Sequence, residues 1–140
     1  KNDIIQNNKF KNRYNNNNDL YIHIRLGDVA NKNPGISYYL NTIKNITFDN
    51  LYISTDDKKN IIVNTIIKSY SNATLIDYNE IKTIQFATTC KHIILSHGSF
   101  SALIGYLSFF STIYYPAYEL DNMWHGDMFS IKGWIKCDKN

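Results

Sequence analysis

The chain has 140 residues, 44% hydrophobic and 19% charged, with a formal net charge of +3 and a pI near 8.8. Such a length and apolar content support one domain with its own core and exclude a disordered chain. So mild a basic surplus suits a phosphate-bearing small ligand and excludes a nucleic-acid binder built on a dense Lys/Arg face.

Residues 1–18 are polar with scattered apolar positions. They predict a loose or short helical lead-in that closes in a disordered run, Asn15, Asn16, Asn17 and Asn18. Residues 19–140 read as one Rossmann-like domain. LYIHIRL (20–26) is rich in Ile and Tyr and predicts a strand. ISYYLNTIKN (36–45) carries apolar residues at helical spacing, and LYISTDD (51–57) predicts a second strand ending in hydroxyl and acidic residues. KKNIIVNTIIKSY (58–70) holds Ile61, Ile62, Ile66 and Ile67 on one helical stripe, with the helix starting at Lys58 and capped by an aspartate of the preceding strand end. ATLID (73–77) is a short strand, and NEIKTIQFATTC (79–90) is a helix with Asn79 as its N-cap. HIILS (92–96) is a buried strand, SFSALIGYLSFF (99–110) a helix opened by Ser99, and TIYYP (112–116) a last strand stopped at Pro116. About five strands thus alternate with helices through short connections, which predicts an α/β, doubly wound parallel sheet. Residues 119–140, with Trp124 and Trp134, form a tail expected to pack back on the sheet.

Cys90 and Cys137 make neither a disulfide framework nor zinc-ligand spacing, which fits a reducing compartment. Two Asn-X-Thr sites, at Asn45 and Asn72, are expected by chance in a chain so rich in Asn and Thr. The uncharged stretch 92–118 contains His97, Gly98, Gly105, Pro116 and several serines, so strand, helix and strand explain it better than a membrane span. No signal peptide is visible and the expected location is cytoplasmic. The chain opens at Lys1 rather than Met, as expected of a piece of a longer polypeptide.

In an open parallel sheet, ligands bind beyond the carboxyl ends of the strands where strand order reverses, a point usually flanked by the first and fourth strands. Here those ends are HIRLGD and LSHGSFS, the segments with unusual chemistry. His23 and Arg25 share one face of the first strand. Arg25 can grip a ligand phosphate or pair with Asp28, and His23 alone reads as a hydrogen-bonded core histidine. Gly27 is expected to serve the turn. In the second segment His97 and Gly98 form a small-residue turn, with Gly98 allowing close backbone approach. Ser99, Phe100 and Ser101 then enter a helix whose free N–H groups attract phosphate, while ordinary backbone capping is the plainer role for those serines. Asp56 reads either as a helix cap or as a residue near a ribose or base. No G-x-G-x-x-G, P-loop, G-x-S-x-G or H-E-x-x-H pattern is present, so the loops of dinucleotide, P-loop, hydrolase-elbow and zincin chemistry are missing. No acidic cluster supports a metal at Asp56 and Asp57.

With these residues in view, the chain resembles the α-1,2-fucosyltransferase family and the wider superfamily of GDP-fucose-dependent fucosyltransferases. HIRLGD resembles the family's H-x-R-R-x-D signature through His23, Arg25 and Asp28. ISTDD resembles its second motif, LSHGSFSALIGYLS its third, and MWHGDMF with GWIKC its closing segment, so the resemblance runs over residues 21–137. It implies the C-terminal, donor-binding half of a GT-B glycosyltransferase that is inverting and needs no metal or cofactor beyond its nucleotide-sugar donor. By the same match Arg25 would hold the donor diphosphate and Asp28 would stand beside it as the nearest carboxylate. His97, Gly98, Ser99, Phe100 and Ser101 would line the nucleotide site, Asp56 would lie near base or ribose, and His23 would shape the first turn. A glycan acceptor and an N-terminal domain of the same polypeptide are the implied partners. The chain departs from the signature at Leu26, where the family has a second arginine. The alternative readings are an inactive nucleotide-sugar-binding module and a purely structural α/β domain.

Overall fold

Short apolar runs set between helical stripes give alternating strands and helices in a computed structural model of the chain, which describes residues 1–27, 32–117 and 126–138. The strands are β1 (Leu20–Ile24), β2 (Leu51–Thr55), β3 (Ala73–Leu75), β4 (His92–Ile94), β5 (Thr112–Pro116) and β6 (Ile135–Cys137). The helices are α1 (Asn2–Gln6), α2 (Ile36–Lys44), α3 (Ile61–Ser69), α4 (Glu80–Ala87) and α5 (Ser99–Tyr106), with a 3-10 turn at Lys11–Arg13.

All six strands join one parallel sheet in the order β3-β2-β1-β4-β5-β6. This is a Rossmann-like topology, winding outward one way from β1 through β2 and β3, and the other way from β4 through β5 and β6. Leu20 stands between Leu51 on one side and His92 on the other, which fixes the register at the centre. Side chains alternate across β1 as the pleat requires. Leu20, Ile22 and Ile24 pack with Tyr38, Tyr39 and Ile43 of α2 and with Val63 and Ile66 of α3. On the opposite face Tyr21 packs with Ile93, with Phe86 and Ala87 of α4, and with Ala102 and Ile104 of α5. Both faces of β1 are buried, so its sequence is a near-continuous apolar run, and His23 is the polar residue inside it.

The caps explain where several helices begin. Asn79 accepts a hydrogen bond from the Lys82 N–H at 2.8 Å, as expected for the start of α4. Neither Asp56 nor Asp57 caps α3: Asn60 does, accepting from the Ile62 N–H at 2.9 Å, and the helix starts at Ile61 rather than Lys58. Gly98, with φ of 92°, takes the left-handed step that turns the chain into α5.

The structure corrects two further expectations. The sheet has six strands rather than about five, because Ile135–Cys137 pairs with β5 and the Ala117 N–H reaches the Cys137 carbonyl at 2.8 Å. The Asn run is not loose. Asn17 donates to the carbonyls of Arg13 and Thr89 at 2.8 and 2.9 Å and accepts from the Asp19 and Lys91 N–H groups. Asn18 donates to Thr47 O at 3.2 Å. These side-chain amides replace the secondary structure that the run cannot form. Among the described residues no helix is long and apolar enough to cross a membrane.

Candidate functional site

The topology puts the ends of β1 and β4 side by side at the reversal of strand order. The Arg25 N–H donates to the Ser96 hydroxyl at 3.2 Å, and the Ser96 N–H donates to the Ser101 hydroxyl at 2.8 Å. Ser101 also meets His23 Nδ1 at 2.8 Å. Four residues from β1, α5 and the turns that follow β1 and β4 are thereby tied into one corner, although Arg25 and Ser96 stand 71 residues apart and His23 and Ser101 78. A second layer comes from the α2 side: the Tyr39 hydroxyl reaches Ser96 at 2.9 Å, and Asn33 donates to the Arg25 carbonyl at 2.8 Å.

Asp56, just past β2, closes the corner from the other side. One carboxylate oxygen accepts from the Leu26 N–H at 2.7 Å, and the other pairs with Arg25 Nη1. The two side chains are 33% and 34% exposed, so the pair lies at the rim. Gly27 has φ of +47°, and a Cβ there would stand 2.5 Å from Asp56 Oδ2 and 3.0 Å from Arg25 Nη1. The left-handed turn favours glycine here, and a side chain would push aside the flexible ends of the ion pair.

A cleft of ≈ 200 Å³ opens beside this corner, over the ends of β1, β2 and β3. His23, Asp56 and Phe100 line its inner wall, and Lys58, Asp77, Tyr78 and Glu80 its outer one. Lys58 is joined to Asp77 at 2.8 Å. The lining is rich in acceptors and carries more acidic than basic groups, and Tyr78 and Phe100 add aromatic surface. Its volume is below the ~300 Å³ at which small-molecule pockets begin, so it has room for only part of a drug-sized molecule.

His23 is buried, and that burial pushes its pKa down to about 3; His97 and Arg25 add to the depression and Asp56 opposes it. The ring is therefore neutral at physiological pH, held by Ser101 and packed 5.2 Å from the Phe100 ring. It shapes the cleft wall and carries no positive charge to a ligand.

The expected site residues separate into distinct groups. His23, Asp56 and Phe100 share the cleft, and Arg25 stands at its rim through Asp56. Ser99 is exposed at the start of α5. His97, Gly98 and Ser101 are buried, and the Ser101 hydroxyl serves the corner rather than an open surface. Asp28 lies outside the described residues, as do Met123, Trp124 and His125 of the MWHGDMF segment. Asp56, read from the sequence as a cap or a ribose neighbour, is the residue that braces Arg25 and the Leu26 amide. Sequence reasoning missed Ser96, Asn33 and Tyr39, which fix the corner, and Asp77, Tyr78 and Glu80, which line the cleft. The last three could have been found from their place just past the third strand. Among the described residues no three of His, Cys, Asp and Glu are grouped so as to hold a metal ion. Compared with known protein families, curated proteins and solved structures, the chain matches none.

Proposed function

We propose that this chain is the donor-binding domain of a glycosyltransferase of the fucosyltransferase type, with a nucleotide sugar, GDP-fucose by resemblance, as its donor. What supports the reading is the meeting of two motif-bearing turns at the strand-order reversal, where the Arg25 amide bonds Ser96 and His23 bonds Ser101. In this reading the diphosphate lies at Arg25 beside the first turn of α5, and the base or ribose enters the acceptor-rich cleft. Arg25 then neutralises the charge that gathers on the leaving nucleotide as the sugar's anomeric bond breaks. Inversion follows if the acceptor hydroxyl attacks from the opposite side, and another domain of the polypeptide supplies the acceptor site. The GT-B architecture belongs to the same proposal. One feature favours a binding module without turnover: the Arg25 charge is already countered by Asp56.

Thermal denaturation with GDP, UDP and GMP tests the reading. Saturation at 100 times Kd adds about 2.7 kcal/mol, a rise of about 8 °C in Tm for a domain of this size. We expect that rise with GDP, and its loss in Arg25→Ala with the fold retained. No change at millimolar GDP would count against any donor site here. Sugar transfer by the full polypeptide, abolished in Arg25→Ala, separates the transferase from the binding module.

A further inference from the structure

We propose that Asn33 is a positioning residue for Arg25, holding the arginine's backbone so that the guanidinium meets a diphosphate from a fixed root, with Tyr39 orienting Asn33. The inference rests on the reading of Arg25 as the phosphate-binding residue. Strand pairing between β1 and β2 stops at Ile24, so the peptide groups on either side of the Arg25 Cα lie beyond the ladder. Side chains hold them instead. The Arg25 N–H donates to Ser96 Oγ at 3.2 Å. The Arg25 carbonyl accepts from Asn33 Nδ2 at 2.8 Å, and the Leu26 N–H of that same peptide group donates to Asp56 at 2.7 Å. A peptide group is planar, so pinning both planes fixes the dihedrals of Arg25 and with them the direction in which its side chain leaves the backbone.

Asn33 is itself held. Its Oδ1 accepts from the Gly35 N–H at 2.9 Å in the turn that leads into α2, which sets Nδ2 towards Arg25. The Tyr39 hydroxyl, on α2, accepts from the same Nδ2 at 2.9 Å and meets Ser96 Oγ at 2.9 Å. The two side chains that grip the Arg25 backbone, Asn33 and Ser96, are thereby joined through one buried phenol. Burial pushes the Tyr39 pKa up, so its hydroxyl keeps its proton at physiological pH. Among the described residues the cleft is lined by other side chains, so Asn33 acts on a ligand there through Arg25. A guanidinium that starts from a fixed backbone loses less freedom when it binds.

The experiment measures GDP binding to the wild-type chain, Asn33→Ala and Tyr39→Phe by calorimetry, with amide NMR of each protein before GDP is added. We expect Asn33→Ala to bind GDP about tenfold weaker, the loss expected when one hydrogen bond to a buried carbonyl is removed. Its Leu26 N–H resonance, in the peptide group Asn33 holds, should move while the Tyr78 and Phe100 amides of the cleft wall stay in place. Wild-type GDP affinity in Asn33→Ala overturns the positioning role and leaves the nucleotide reading standing. Weaker binding accompanied by shifts throughout the cleft wall overturns it as well, since the whole corner has then loosened. A wild-type chain that does not bind GDP overturns the Arg25 site itself and this inference with it. Should Asn33→Ala not fold, Tyr39→Phe decides, because it keeps the ring in the core and removes only the hydroxyl. It should bind GDP about threefold weaker with the same local shift, and unchanged affinity there overturns the role.

Discussion

His23 shows how a residue can be legible in type and misjudged in setting. Its alternation with Ile22 and Ile24 places it on a strand face, and the sequence presents it as either core or ligand-facing. The structure gives it both relations: buried against Ser101 and Phe100, yet part of the cleft wall. Its folded pKa of about 3 lies below the ordinary 6.5, so the unfolded chain binds more protons between those values. Stability supported by neutral His23 is therefore complete above about pH 6.5 and is lost as the pH falls towards 3. We expect urea midpoints to decline across that window in the wild type and to decline less steeply in His23→Asn. Equal slopes in the two proteins would rule out His23 as the origin. Asp56 was legible only as an acidic strand end, because its partners Arg25 and Leu26 are some 30 residues away and reach it only through the β1–β2 pairing.

At the level of elements, apolar periodicity located the main helices, and the first five strands were legible as apolar runs set between them, even β3 and β4 with three residues each. It could not locate β6, whose Ile135, Lys136 and Cys137 make no apolar run and lie in a polar tail. What places β6 is tertiary: Trp134, the residue before it, stacks on Tyr106 at 5.5 Å and approaches Tyr115 and Phe129. The counterpart on α5 is Gly105, where a Cβ would overlap the Trp134 ring. Gly105→Ala should gain helix propensity yet lose stability, by about 1–3 kcal/mol, because the indole must move. Chemical denaturation checks the sign, and in Gly105→Ala with Trp134→Leu the loss should shrink as the two changes couple.

For the whole molecule, the sequence supports the α/β class and the meeting of β1 with β4, because alternating elements with short connections leave few arrangements. The hydrogen-bonded corner of Ser96, Ser101 and Asn33 was not legible, since small polar residues in turns carry no periodic signal. The same architecture sets a gradient of order across the sheet. β1 is buried along its whole length between two neighbours, whereas β6 has two exposed positions and one neighbour. Native-state hydrogen exchange should find the β1 amides opening only with global unfolding and the β6 amides opening well below that limit. Equal protection of the two strands would contradict the gradient.

Among the described residues the sheet ends at β3 on one side and β6 on the other, each with only three residues. A margin so brief offers a stranger's backbone few free donors and acceptors in a row, too short a template for a foreign strand to extend. The buried, apolar β1 and β4 sit at the centre of the sheet, away from both margins.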